Sequence, residues 1–232
     1  RMADSSLAQT ITTFSSNGHD VWSTGAGEWK VIALPDGSSI TMNASSRLEA
    51  EFLTNERRIR LLAGQALFRV SKNLQRPFVV AAGQRTVTAL GTTFDVRLSS
   101  GGLRVTLVDG RVAVKTLHEF SGPSVVELTP SQQLELVGVD APTVRRVNAV
   151  AETAWADGQV IFADASLPDA VAQMNRYSKE QVIAGPELSR FRINGMFRAG
   201  NQGSFVGAVT SDYPIDARQD SSGRIVLELR RE

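Results

Sequence analysis

His19 and His118 are the residues in this chain best suited to hold a metal or shuttle a proton, and neither has a neighbour to work with. Each sits in polar sequence without the His-x-x-x-His or Glu-x-x-His spacing that puts two ligands on one helix face. Both read as solvated loop residues. Thr24 to Trp29, TGAGEW, contains Gly-x-Gly but lacks a third glycine and the strand-to-helix context that sets a pyrophosphate on a helix N-terminus, so it reads as a turn. No Gly-x-Ser-x-Gly, Walker lysine or paired-carboxylate motif occurs, which leaves nucleophilic, phosphoryl-transfer and glycosidase chemistry unsupported. Asn43-Ala44-Ser45 fits a glycosylation acceptor only formally, because so short a pattern arises often by chance. Zero cysteines exclude disulfides, thiolate metal sites and a cysteine nucleophile. These residues imply neither an enzyme nor a cofactor.

Charge and aromatic residues point the same way. Lys plus Arg number 25 against 24 Asp plus Glu, and a formal charge of +1 gives no long-range attraction to nucleic acid. The short basic clusters Arg57, Arg58 and Arg60, Arg145 and Arg146, and Arg230 and Arg231 read as solvated surface. Phe94, Phe162, Phe197, Trp22, Trp29 and Trp155 are spread over alternating segments and read as core. No run approaches the roughly 18 apolar residues of a membrane-spanning helix. The chain opens at Arg1 without an initiator Met, which reads as a fragment whose targeting or anchoring segment lies upstream.

The elements that must position these residues fall into two groups. Up to Val137, short segments of period-two alternation recur (EWKVIAL, RLEAEFL, RIRLLAG, ALFRVS, PFVVAAG, TFDVRL), the pattern of half-buried strands. Asp36-Gly37 and Asp109-Gly110 lie between alternating arms and predict two hairpins with type I′ turns. IALPDGSSI, IRLLAGQALFRV, VTALGTTFDVRL and VTLVDGRVAVKT form a loose repeat of strand, glycine corner and strand, which suits a sandwich or solenoid-like stack. Gly138 to Glu152 reads as a polar bridge between domains. Then the period changes. Leu167, Ala170, Val171 and Met174 share one helical face, with Ser166 and Asp169 as a capping box and Pro168 in the first turn, predicting a helix over 167–178. The order that follows is strand, helix, two strands, helix, two strands, with both helices on one small sheet. The expectation is therefore mainly β plus α+β: an all-β domain of stacked antiparallel strands over 1–150 and a small two-helix α+β domain over 156–232.

The spaced motifs HDVWSTGAGEWKVIALPDGSSITMNASSRLEAEF, RRIRLLAGQALFRVSKNLQRPFVVAAG, VTALGTTFDVRL and LRVTLVDGRVAV resemble the periplasmic part of the FecR family of transmembrane anti-sigma regulators. The positions that carry it are Thr24, Gly25, Gly27, Glu28, the corner from Leu34 to Gly37, Asn43, Ser46, Leu61, Gly64, Phe68, Arg76-Pro77-Phe78, Gly91-Thr92-Thr93-Phe94 and Gly110. From Trp155 onward the chain is similar to that family's C-terminal portion, a short secretin and TonB N-terminal (STN) domain. One departure is LTPSQQLEL, where Ser131 stands before Gln132 and the family more often has glycine.

The resemblance implies a signal relay located in the periplasm and anchored to the inner membrane. Its partners would be the signalling domain of an outer-membrane TonB-dependent siderophore receptor, a sigma factor reached through a cytoplasmic domain, and a regulatory periplasmic protease. No cofactor is implied. Alternation along RFRINGMFRAG places Phe191, Ile193 and Phe197 on one face and Arg192, Asn194, Met196 and Arg198 on the other, so the second set is the expected partner-binding surface. A β-rich module that binds sugar or cell-wall polymer is the alternative; a surface groove formed by Trp22, Trp29 or Trp155 would favour it, and their burial would favour the relay.

Overall fold

The structure is a computed structural model that describes residues 9–14, 19–117, 122–138 and 141–230. His118, Arg231 and the residues before Gln9 lie outside the described residues. The chain divides into two compact units, one of them Gln9–Ala156 and the other taking in everything from Asp157.

In the first unit the alternating segments are strands: β1 (Gln9–Thr13), β2 (His19–Ser23), β3 (Trp29–Ala33), β4 (Ser39–Met42), β5 (Arg47–Phe52), β6 (Arg57–Arg69) and β7 (Phe78–Ala82). They continue as β8 (Arg85–Ala89), β9 (Thr93–Ser99), β10 (Gly102–Asp109), β11 (Val112–Thr116), β12 (Ser124–Leu128), β13 (Gln132–Leu136) and β14 (Thr143–Arg146). Two sheets share one strand. The first runs β1-β3-β4-β6-β9-β10-β13-β14 and the second β2-β5-β6-β7-β8-β11-β12. The fold class is the expected one, with the detail that β1 with β3 and β6 with β7 pair in parallel. Inward residues of both sheets, among them Ile40, Phe68, Phe94 and Val105 from the first and Leu48, Ile59, Phe78 and Val87 from the second, form a single core. Phe68 stacks on Phe94 at 5.1 Å between centroids and meets Phe78 edge-on at 5.8 Å.

RIRLLAG and ALFRVS, read separately in the sequence, are one strand. β6 pairs with β5 and β7 through its first half and with β4 and β9 through its second. Gly64 is the switch point, at φ 85° and so close to β5 that a Cβ would lie 2.5 Å from Ser46 Cα. Only glycine meets both conditions.

The repeated glycine corners divide into two kinds. Asp36-Gly37 does close a hairpin between β3 and β4, with Gly37 N–H donating to Leu34 C=O at 3.1 Å. Its turn is not type I′, because only Gly37 is left-handed. Asp109-Gly110 closes no hairpin. β10 is already paired with β9 and β13, and β11 with β8 and β12, so this corner carries the chain from the first sheet to the second. The Gly91 corner makes the reverse crossing from β8 to β9, and the two corners touch: a Cβ on Gly110 would sit 2.5 Å from Thr92 Cγ2. The predicted bridge over 138–152 is likewise part of this unit, since it contributes β14 and the short helix α1 (Ala149–Thr153), capped by Asn148 Oδ1 on Ala151 N–H.

Arg57 is the other departure, because it is fully buried rather than solvated. Strand alternation puts it on the face of Ile59 and Leu61. Its Nε donates to Arg76 C=O (2.9 Å), its Nη1 to Ser71 C=O (3.0 Å) and to the Asp36 carboxylate, and its guanidinium lies 5.4 Å from the centre of the Phe78 ring. Arg58 and Arg60 are exposed and pair with Glu56 and Glu49. Burial alone would raise the Asp36 carboxyl, but hydrogen bonds from Arg57 and Ser38 outweigh it and hold the group below the usual carboxylate range.

The second unit follows the expected order: β15 (Gln159–Ser166), α2 (Leu167–Asn175), β16 (Val182–Ala184), β17 (Arg192–Arg198), α3 (Gln202–Asp212), β18 (Ile215–Gln219) and β19 (Ile225–Leu229). Its strands form two sheets, not one. β15 pairs with β17, while β19 pairs with β16 and β18. The 3-10 turn Pro186–Arg190 separates β16 from β17, and Pro186 at its start cannot donate to a ladder. α2 begins as predicted, with Ser166 Oγ accepting Asp169 N–H (3.3 Å), and buries Leu167, Ala170, Val171 and Met174. It ends three residues early because Asn175 turns its amide onto β16, donating to Val182 C=O (2.7 Å) and accepting Val182 N–H (2.9 Å).

Two outcomes are expected. Gly64→Ala should destabilise the first unit by roughly 2–5 kcal/mol, since left-handed strain and a backbone clash add, and denaturant titration will measure it. Asp36 contributes stability that is present above its unfolded value of about 3.9 and is lost as pH falls through the lower folded value. Asp36→Asn should therefore flatten the acid limb of thermal stability below about pH 4; an unchanged limb would assign it to other carboxylates.

Candidate partner-docking strand

β17 takes its form from alternation. Ile193 is buried and Phe197 half-buried, and Phe197 packs on Phe162 of β15 (5.8 Å) and Phe205 of α3 (5.2 Å). Arg192, Asn194, Met196 and Arg198 are all exposed on the opposite face. The structure thus brings the four sequence-chosen residues onto one surface, and it gives them different tasks.

Arg192 and Asn194 are committed to the protein itself. β15 bulges between Phe162 and Ala165, with Asp164 in the left-handed conformation at φ 58°. Arg192 donates through Nε and Nη2 to the two carboxylate oxygens of Asp164, at 3.0 Å each, and through Nη2 to the Asp164 carbonyl, while Asn194 Oδ1 accepts the Asp164 N–H at 2.8 Å. Hydrogen bonding and charge from Arg192 hold the Asp164 carboxyl below its ordinary value and push the guanidinium up. Asp164 escaped the sequence reading because nothing in VIFADAS marks a bulge.

Met196 is left as the exposed apolar centre, 59% accessible, with Arg198 beside it and half-buried Ile161 directly across the ladder. Ile161 is a second residue that the sequence reading missed; period-two alternation from Phe162 already placed it outward. Along β17, the bonds from Ala199 N–H to Gly158 C=O and from Leu167 N–H to Phe191 C=O put the odd-numbered backbone groups toward β15. The even-numbered groups face away from it. At one end the Tyr213 hydroxyl donates to Arg192 C=O (2.8 Å), and past it the edge of β17 has no strand alongside among the described residues.

The remaining chemistry-bearing residues resolve as structure. His19 is exposed at the start of β2, and no group of three or more potential metal ligands exists among the described residues. The TGAGEW segment is a turn closed by Gly25 N–H on Glu28 Oε2 (2.9 Å). Asn43 is buried and donates to Gln65 Oε1 (2.9 Å). Trp22 and Trp155 are buried and Trp29 is half-buried.

A buried clasp surrounds Asn43. Thr24 Oγ1 donates to Asn43 C=O (2.6 Å) and accepts Ser46 N–H (2.9 Å), Ser46 Oγ joins Gln65, and Gly64 lies against Ser46. Thr24, Asn43, Ser46 and Gly64 are among the positions that carry the family resemblance, and each serves architecture. Residues 20–113 match the FecR protein family model. The matched span runs from β2 into β11 and covers neither the rest of the first unit nor the second. Two crystal structures of a Parabacteroides distasonis ATCC 8503 protein, provisionally described as an anti-sigma factor, share the fold. Each is 24% identical, with TM-scores of 0.74 and 0.75, covering 91% and 90% of this chain and 99% of the other. A match confined to one unit cannot reach that coverage. No curated protein matches the chain.

Proposed function

We propose that this chain is the periplasmic relay of a membrane-anchored anti-sigma regulator. In this reading the first unit is the FecR domain, and the second is an STN-like domain that receives the signalling domain of an outer-membrane TonB-dependent siderophore receptor. The occupied state of the receptor then passes through an inner-membrane helix to a cytoplasmic domain that holds an extracytoplasmic-function sigma factor, with periplasmic proteolysis as part of release. The family match over 20–113 is the observation that carries the reading. The shared fold with the Parabacteroides distasonis structures and the strand-helix-strand-strand-helix-strand-strand order of the second unit support it. Burial of Trp22 and Trp155, with Trp29 half-buried, favours the relay over the sugar-binding alternative.

Docking on β17 combines two contributions. A partner strand added at the open edge draws affinity from backbone pairing, and side chains set specificity. Met196 adapts its shape to a partner and Arg198 supplies directional donors, whereas Arg192 and Asn194 act by holding the Asp164 bulge. Calorimetric titration of the chain with a receptor signalling domain tests this. Wild type should bind, and Met196→Asp with Arg198→Glu should weaken binding at least tenfold with an unchanged circular dichroism spectrum. Unchanged affinity in the double variant would remove β17 from the interface, and no binding by wild type would overturn the receptor reading.

A further inference from the structure

The open edge of β17 is framed at both ends. At its start the Tyr213 hydroxyl donates to Arg192 C=O (2.8 Å), and the Tyr213 ring is held edge-on against Phe191 (5.4 Å). Past its end Asn201 N–H donates to Arg198 C=O (3.1 Å). Between these caps the N–H and C=O of Asn194 and Met196 and the N–H of Arg198 point away from β15, without a hydrogen-bond partner among the described residues. Asn194, Gly195 and Met196 are all exposed, and a Cβ added to Gly195 would have only the Phe197 ring within 4 Å. A row of unpaired backbone groups is a template for an added strand, and the two caps limit how much of one it takes.

Direction and side chains narrow the occupant. In antiparallel pairing, the more stable ladder per residue, residues opposite Asn194 and Met196 each exchange two bonds and the residue opposite Arg198 accepts one. The added segment is then about five residues, and its first, third and fifth side chains share the outward face with Arg198, Met196 and Asn194 respectively. Asn194 is already engaged with Asp164 N–H, and Arg192 with the Asp164 carboxylate. Arg198 is exposed and makes no ion pair among the described residues, and Met196 is the exposed apolar residue beside it.

We propose that the β17 edge selects an antiparallel strand with an acidic first residue facing Arg198 and an apolar third residue facing Met196, and that Tyr213 sets its register by occupying Arg192 C=O. The inference rests on docking at β17 and names the chemistry of the strand that docks. Opposite charges facing each other across a ladder favour pairing and like charges oppose it, so Arg198 reads the first position. A strand that slides toward Arg192 meets an acceptor already taken.

The test is titration of the whole, isotope-labelled chain with capped strand-forming peptides, followed by amide NMR. One peptide carries aspartate first and leucine third, a second replaces the aspartate with lysine, and a third has the order reversed. The first should shift the Asn194, Met196 and Arg198 amides saturably, and the other two should bind about tenfold more weakly. Arg198→Glu should invert the preference so that the lysine peptide binds more tightly, a gain that a misfolded variant cannot mimic. Tyr213→Phe keeps the ring and frees Arg192 C=O, so lengthening the first peptide by two residues at its C-terminal end should raise affinity several-fold in that variant and not in wild type. Absence of saturable shifts with every peptide, equal affinity for the three, or an equal gain from lengthening in wild type overturns the proposal. A receptor domain that binds while every peptide fails strikes this inference alone, and peptides that bind while the domain fails strike the receptor reading alone.

Discussion

The first unit depends on one strand serving two sheets. β6 gives its first half to one sheet and its second half to the other, and the bend at Gly64 makes that possible. At the start of the strand, buried Arg57 ties the β3–β4 turn through Asp36 to the chain at Ser71 and Arg76. A buried charge left unpaired costs several kcal/mol, so this arginine is tolerable only because carbonyls, a carboxylate and an aromatic face surround it. The cost of burial becomes a specification: three segments distant in sequence converge to give Nε and Nη1 of the guanidinium their acceptors, while Nη2 is buried without one. Whether such a group adds net stability is secondary to its fixing where the two sheets meet.

Seen this way, the residues that resemble the FecR family are parts of a joint. Thr24, Asn43, Ser46 and Gly64 meet where β6 bends, and Gly91, Thr92 and Gly110 meet where the chain crosses between sheets. Their types follow from geometry: small where backbones approach, hydrogen-bonding where backbone groups would otherwise be buried unpaired.

Much of this was legible in the sequence, for identifiable reasons. Period-two runs marked the strands, and the change to period 3.6 at Ser166 marked α2 with its cap and buried face. Arg57 was legible too, since alternation with Ile59 and Leu61 pointed it inward, but basic neighbours made it look like surface. Pairing was not legible. Asp109-Gly110 has the composition of a hairpin turn, yet its arms belong to different sheets because long-range register outweighs local turn preference. The split of the second unit into two sheets and the Asp164 bulge likewise depend on contacts between residues about 30 apart in sequence. Ser131 shows the converse: it stands where glycine is expected and adopts the left-handed φ of 65° that glycine would have supplied.

Native-state hydrogen exchange under increasing denaturant tests the shared-strand account most directly. If β6 unites the two sheets, amides of β4 and β9 on one side and β5 and β7 on the other will open with a single free energy, and Arg57→Met will lower both sets together. Two separate opening free energies, with Arg57→Met lowering only the set from β5 and β7, would contradict it.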